Sequence, residues 1–288
     1  MTTISLVIST YNWPEALEHV LLSAFEQSIP PVDIIVADDG SESETRRLIE
    51  RFQNKSPIPL KHVWHEDQGF RRTIILNKAI RNAAGEYIVQ TDGDCILSRR
   101  FIKDHLTMAK PGLFLYGTRV NVPKNLFNER IKQEEKFHVR LFDRGIRNRY
   151  RSFYWPDYAL RWAWIEDFFL NSRSQSLLPY TISGCNMSFW EMDFFEVNGY
   201  NEEITGWGFE DSELALRFLH KGLKSQRLKF QAILYHIDHG ANFKKETHAL
   251  IEKNRQIFQH TLQHKMIRCR NGLCQGLDQT PHTNHLNN

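Results

Sequence analysis

Four apolar, β-rich runs alternate with amphipathic helical stretches in the first third of the chain, and that alternation leaves few folds open. Ile4 to Ser9, Ile34 to Ala37, Leu60 to His65 and Tyr87 to Gln90 read as strands. Between the first two, Leu17, Val20, Leu21, Ala24 and Phe25 form one buried helical stripe behind Pro14, which suits a first helical position. Leu48, Ile49 and Phe52 mark a second helix, with Ser41 and Glu44 at capping-box spacing before it. Leu76, Ala79, Ile80 and Ala83 mark a third, and Gly85 is placed to end it. Near-continuous apolar strands are buried on both faces, and right-handed crossovers turn such a β-α-β-α-β-α-β series into a parallel, helix-covered sheet.

In sheets of this kind ligands bind beyond the carboxyl ends of the strands. Three strands here end in polar residues: Ser9 and Thr10, Asp38 and Asp39, Asp92 and Asp94. Turn chemistry accounts for each alone, but their common place at one sheet edge points to a site. Asp92 and Asp94 are one residue apart and repel each other unless a positive partner sits between them. A hard divalent cation fits, because Mg²⁺-like ions bind one or two carboxylates plus substrate phosphates. Arg71 and Arg72, in Gln68-Gly69-Phe70-Arg71-Arg72 ahead of the third helix, suit a diphosphate, with a solvated basic turn as the plain alternative. The chain has no G-x-G-x-x-G after its first strand and no G-x-x-x-x-G-K-[ST], which disfavours simple dinucleotide binding and P-loop hydrolysis.

A formal net charge of +3 is too small to argue for nucleic acid. The four cysteines, Cys95, Cys185, Cys269 and Cys274, form no C-x-x-C pair, as expected of a reducing compartment. The N-terminus enters a strand at once, without a signal-peptide pattern, and no apolar run is long enough to span a bilayer. A cytoplasmic location is expected. The stretch 121–175 mixes Arg140, Arg144, Arg147, Arg149 and Arg151 with Phe153, Tyr154, Trp155, Trp162 and Trp164. It reads as an amphipathic insertion, and residues 140–165 offer a basic and aromatic surface for peripheral contact with the inner face of a membrane.

Further on, Thr181 to Phe189 alternates like a strand, and Gly206-Trp207-Gly208-Phe209-Glu210-Asp211 opens a helix with two acids. Acids in a first helical turn ordinarily answer the macrodipole. A large ring between two glycines, directly before them, favours function instead. Ala232 to Gly240 reads as a strand carrying His236 and His239. Either imidazole could join Asp94 on a diphosphate-bound metal, and His236 is preferred. A helix follows from His248, then a polar, loose tail after Cys269.

Ser9-Thr10-Tyr11-Asn12, Asp38-Asp39-Gly40-Ser41 and Asp92-Gly93-Asp94, in this order, resemble a family 2 glycosyltransferase of the GT-A fold. The resemblance implies that Ser9, Thr10, Tyr11, Arg71, Arg72 and Asp92 bind the nucleotide sugar, with Asp39 reading the base. It places Mn²⁺ or Mg²⁺ on Asp94, with His236. Asn77 matches an Asn of some members and reads as structural. The Gly184-Cys185-Asn186-Met187-Ser188 strand and the Gly-Trp-Gly-x-Glu-Asp run are similar to β-galactosyltransferase and N-acetylgalactosaminyltransferase relatives and to bacterial polysaccharide enzymes. That likeness implies Asp211 as general base, Glu210 on a sugar and Trp207 as the acceptor wall.

The expected architecture is a GT-A domain over 1–245, an α/β unit with a Rossmann-like mixed sheet flanked by helices. It divides into a nucleotide-sugar half (1–120), the insertion (121–175) and an acceptor and catalytic half (176–245), followed by a C-terminal helix (246–270) and a flexible tail (271–288). The implied activity is inverting transfer of Gal, GalNAc or a related hexose from a UDP-sugar to a saccharide or lipid-linked acceptor, in surface polysaccharide or lipopolysaccharide synthesis. A retaining transferase and a non-catalytic nucleotide-sugar- or glycan-binding protein on the same fold remain the alternatives.

Overall fold

The structure is a computed structural model that describes residues 2–117, 119–132, 136–137, 146–148, 182–228, 231–239 and 248–273. Its centre is a seven-stranded mixed sheet in the order β10-β6-β9-β4-β1-β2-β3. The strands are β1 (Ile4–Thr10), β2 (Asp33–Asp38), β3 (Leu60–Trp64), β4 (Tyr87–Asp92), β6 (Leu113–Tyr116), β9 (Met187–Trp190) and β10 (Lys224–Arg227). β1 to β4 are parallel, as the alternating pattern requires, and β9 runs antiparallel between β4 and β6. β1, β2 and most of β4 are buried along their length, so both faces are covered.

A second sheet has the order β5-β11-β7-β8, from β5 (Cys95–Leu97), β7 (Val120–Pro123), β8 (Arg147–Asn148) and β11 (Leu234–Asp238). β7 pairs with β11, so the start of the segment read as an insertion is built into this sheet. The rest of 121–175 lies mostly outside the described residues, and of the suggested membrane surface at 140–165 only 146–148 are described. Among the described residues no helix is long and apolar enough to cross a membrane.

The helices on the main sheet are α1 (Pro14–Phe25), α2 (Ser43–Gln53) and α3 (Arg72–Arg81). Pro14 opens α1, as its fixed φ allows. α2 does not use the expected capping box. It starts at Ser43 without a side-chain cap, because Ser41 Oγ accepts the Asn12 amide instead. α3 ends at Arg81, so Gly85 is not its C-terminal stop. Gly85 is needed for another reason: a Cβ there would lie 2.5 Å from the Ser5 nitrogen of β1.

The remaining helices are α4 (Phe101–Met108), α5 (Lys124–Ile131), α6 (Glu191–Glu196), α7 (Glu210–Lys221) and α8 (His248–Gln263). Within α7, Glu213 and Arg217 form a fully buried i, i+4 ion pair, with Arg217 Nη2 2.8 Å from Glu213 Oε2. Thr261 of α8 donates to the same Glu213 at 3.0 Å, which ties α8 onto α7. Residues after Cys269 begin packed rather than loose. Leu273 is buried and its amide donates to the Asn198 carbonyl at 3.1 Å. The tail from 274 on lies outside the described residues.

Candidate active site

Register explains how the first carboxylates meet. β1 and β4 pair Ser9 with Asp92, and β1 and β2 pair Thr10 with Asp38. Ser9 Oγ then donates to Asp92 Oδ1 at 2.7 Å. Asp38 is consumed by the turn, accepting the Ser41 amide and facing His62 Nε2 at 2.8 Å. Asp39 is held by His65 Nε2 at 2.7 Å and by the Arg71 amide at 2.9 Å. Its burial raises the carboxyl's pKa despite those two hydrogen bonds. Tyr11 is half exposed beside it, with its hydroxyl donating to Asp67 at 2.9 Å.

The two arginines separate. Arg71 turns into its own loop, donating to Gln68 Oε1 at 2.8 Å. Arg72, at the first position of α3, is buried and spans the site. Its guanidinium donates to Asp92 Oδ1 at 2.9 Å and to Asp211 Oδ1 at 2.9 Å, and Glu210 Oε1 lies at 3.9 Å. Burial works against its charge, yet Asp211 and Asp92 more than restore it and raise its pKa. Asn77, as its polarity within an apolar stripe suggests, is structural: it grips the Tyr200 backbone through both its amide groups, at 2.9 Å and 2.8 Å.

Asp94, His236 and His239 form the second focus. β5 and β11 pair Cys95 with His236, and the Ile237 amide donates to the Asp94 carbonyl at 2.9 Å. This brings His236 Nε2 to 3.4 Å and His239 Nε2 to 3.6 Å from Asp94 Oδ2. The choice of one histidine over the other is therefore not one the geometry makes, because β11 ends at Asp238 and the chain bends His239 back beside His236. The three ligand atoms lie within 4.8 Å of one another. Burial opposes a negative Asp94, but the two imidazoles outweigh it and lower the carboxyl's pKa. A carboxylate oxygen with two imidazoles is a mixed oxygen and nitrogen donor set that fits a divalent metal ion.

The third part of the site is built by Gly206, Trp207, Gly208 and the start of α7. Gly206 and Gly208 take left-handed φ of 73° and 108°, and even Phe209 sits at 72°. Between the glycines the Trp207 ring is 53% exposed, free to line a binding surface. Glu210 is buried and accepts the Gly208 amide at 2.7 Å. Burial first, and then Asp211, push its carboxyl up to about 7. Asp211 accepts from Arg72, from the Tyr200 hydroxyl at 3.2 Å and from the Gly184 amide at 2.7 Å.

The sequence assigns no site role to Tyr200, Gln90 or Gly184, although Gly184 and Tyr200 stand in stretches that carry the family resemblance. The signal for Gln90 was there: one amide in an otherwise apolar strand, where a buried polar group needs partners. Tyr200 and Gly184 come near Asp211 only through the tertiary fold.

A profile of glycosyl transferase family 2 matches residues 5–187, more than half of the chain. The chain belongs to glycosyl transferase family 2. A second profile, the N-terminal domain of galactosyltransferase, matches residues 171–240. Validoxylamine A glucosyltransferase of Streptomyces hygroscopicus subsp. limoneus is 26% identical over 76% of this chain and 48% of its own length. Chondroitin synthase of Escherichia coli is 25% identical over 81% of this chain and 34% of its own. The chain thus spans half or less of these two relatives. Among solved structures, S. aureus TarS matches at a TM-score of 0.59 and 16% identity, covering 91% of this chain and 41% of TarS. Mannosyltransferase PcManGT from Pyrobaculum calidifontis, in complex with GDP-Man and Mn2+, matches at 0.56 and 20%, covering 91% of this chain and 63% of its own. These likenesses establish the GT-A fold.

Proposed function

We propose that this protein is an inverting, metal-dependent glycosyltransferase that moves a hexose, Gal, GalNAc or a relative, from a UDP-sugar to a saccharide or lipid-linked acceptor in surface polysaccharide synthesis. The observation that carries the reading is the pairing of two foci by Arg72, which reaches from Asp92 on the nucleotide side to Asp211 on the acceptor side. Relatives supply the rest: TarS is recorded in complex with UDP-GlcNAc, and the bacterial chondroitin synthase builds a polysaccharide by its name.

In this reading Asp39 takes the base, with its carboxylate braced by His65 and the Arg71 amide. Ser9, Thr10, Tyr11 and Asp92 face the ribose and its neighbours. Asp94, His236 and His239 would hold Mn²⁺, or Mg²⁺ less readily given the two imidazoles. When bound there, such an ion supplies Lewis-acid stabilisation for a diphosphate leaving group. Arg72 offers a second positive charge for the same phosphates. Trp207 presents an apolar face to an acceptor sugar, and Glu210, three residues on at the start of α7, contacts a sugar hydroxyl. Asp211 takes the proton from the acceptor hydroxyl as that oxygen attacks the anomeric carbon.

Asp211→Asn keeps the shape, with one acceptor oxygen where the carboxylate has two, and removes the base. It is expected to cut turnover at least about a hundredfold, within the range for a general base, while leaving UDP affinity within about twofold. Turnover close to wild type would refute the assignment of Asp211.

A further inference from the structure

Asp211 is fixed by donors from three separate parts of the chain. Arg72 of α3 and Tyr200 both reach Oδ1, at 2.9 Å and 3.2 Å, and the Gly184 amide reaches Oδ2 at 2.7 Å. Behind them stands Gln90, fully buried in β4. Its Nε2 donates to the Gly184 carbonyl at 3.1 Å, and its Oε1 accepts from the Tyr200 hydroxyl at 3.0 Å. One amide side chain therefore braces two of the three groups that hold Asp211. Tyr200 is itself pinned, since Asn77 binds its backbone nitrogen and oxygen. Gly184 has no spare room, because a Cβ on it would overlap the Asp211 carboxylate.

The donor count separates the two carboxylate oxygens. Oδ1 has both lone-pair directions taken, by Arg72 and Tyr200, while Oδ2 has one donor among the described residues. The Tyr200 hydroxyl carries one proton and faces two acceptors, Gln90 Oε1 and Asp211 Oδ1. Gln90 cannot turn its amide over to relieve that competition without setting its oxygen against the Gly184 carbonyl.

We propose that Tyr200 and Gln90 are positioning residues for the transfer step, holding Asp211 so that Oδ2 is the atom that takes the acceptor's proton. The inference rests on Asp211 being the general base. The acceptor O–H bond breaks with its proton passing to Oδ2. The acceptor oxygen forms a bond to the anomeric carbon, and the bond from that carbon to the diphosphate breaks, its electron pair leaving with the diphosphate. The hydroxyl of Tyr200 serves both states of Asp211. It donates to the carboxylate before transfer and can turn its proton to Gln90 Oε1 once the carboxyl is neutral.

The test compares Tyr200→Phe, Gln90→Leu and the double variant with wild type. UDP release is followed from UDP-glucose, UDP-galactose and their N-acetylated forms, with Mn²⁺ and water as acceptor, and UDP affinity is measured by calorimetry. Losing one hydrogen bond to a charged group should lower kcat about tenfold to a hundredfold in Tyr200→Phe, with donor KM and UDP affinity held within about twofold. The double variant should lose less than the two single losses combined, because Gln90 acts in part through the Tyr200 hydroxyl. Unchanged kcat in Tyr200→Phe, or KM and UDP affinity worsening in step with kcat, would overturn the proposal. Full turnover in Asp211→Asn would sink the parent reading instead, so the two failures are distinguishable. A urea double-mutant cycle between Tyr200→Phe and Asp211→Asn needs no substrate. Non-additive stabilities support the contact, and strict additivity would overturn the proposal whatever the turnover.

Discussion

Replacing Glu210 with Gln should free the fold from a pH-dependent burden that the wild type carries. Burial and the neighbouring Asp211 move the Glu210 carboxyl from its ordinary 4.5 to about 7 in the folded protein. Below pH 4.5 the group is protonated in both states and makes no difference. As pH rises, the unfolded chain releases its proton first, so stability falls until the folded carboxyl also ionises near pH 7. The full effect is about 3 kcal/mol, because a tenfold change in proton affinity is worth about 1.4 kcal/mol. Of this, about 2–3 kcal/mol falls between about pH 5 and about pH 8. Glu210→Gln keeps an oxygen for the Gly208 amide and cannot titrate. Urea unfolding of both proteins across that range should show the variant gaining on wild type with rising pH. Parallel curves, or a gap that closes with pH, would refute the account of Glu210 as a buried acid held near neutrality.

Two further perturbations test the frame that carries the site. Arg217→Met leaves the buried Glu213 carboxylate with the Thr261 hydroxyl as its remaining side-chain hydrogen bond among the described residues, and should cost about 3–5 kcal/mol in urea unfolding. Adding Glu213→Gln should recover a good part of that loss, and a double variant worse than the single would contradict the reasoning. Gly85→Ala sets a Cβ 2.5 Å from the Ser5 nitrogen and 2.6 Å from the Ile4 carbonyl carbon, both backbone atoms that cannot swing away. A loss of about 1–3 kcal/mol is expected, and a neutral result would show that β1 and the turn before β4 are less tightly apposed than the structure has them.

The parallel half of the fold was legible because period and punctuation agree there. Ile34 to Ala37 and Tyr87 to Gln90 are runs too short for helices, each leading within two residues to acids at the sheet edge. The acids themselves were legible for the same reason, since strand ends in such sheets share one side. Local signals failed where a residue serves a distant partner. Ser41 has capping-box spacing but binds the Asn12 amide, and Gly85 sits like a helix stop but answers the closeness of β1. The antiparallel β9 was read too long, because Gly184, Cys185 and Asn186 alternate like strand residues yet form a 3-10 turn. That turn lets the Gly184 amide meet Asp211. Nothing within a few residues of Tyr200 or Gln90 announces the hydrogen bond between them, because it spans 110 positions of sequence. The preference for His236 over His239 had no firm basis in the sequence, because the register of a short strand is not fixed by its own residues, and the fold brings both imidazoles to Asp94.

The most direct measurement is a thermal-shift panel of UDP-sugars, each with and without Mn²⁺, on wild type and on Asp94→Ala. Ligand binding to the folded state alone raises stability by about 2.7 kcal/mol at a hundredfold excess over Kd, enough to read as a clear shift. The account predicts a rise in Tm with UDP-sugars that requires Mn²⁺ and is lost in Asp94→Ala. No shift with any nucleotide sugar, or an equal shift in Asp94→Ala, would contradict a metal-dependent donor site built on Asp94, His236 and His239.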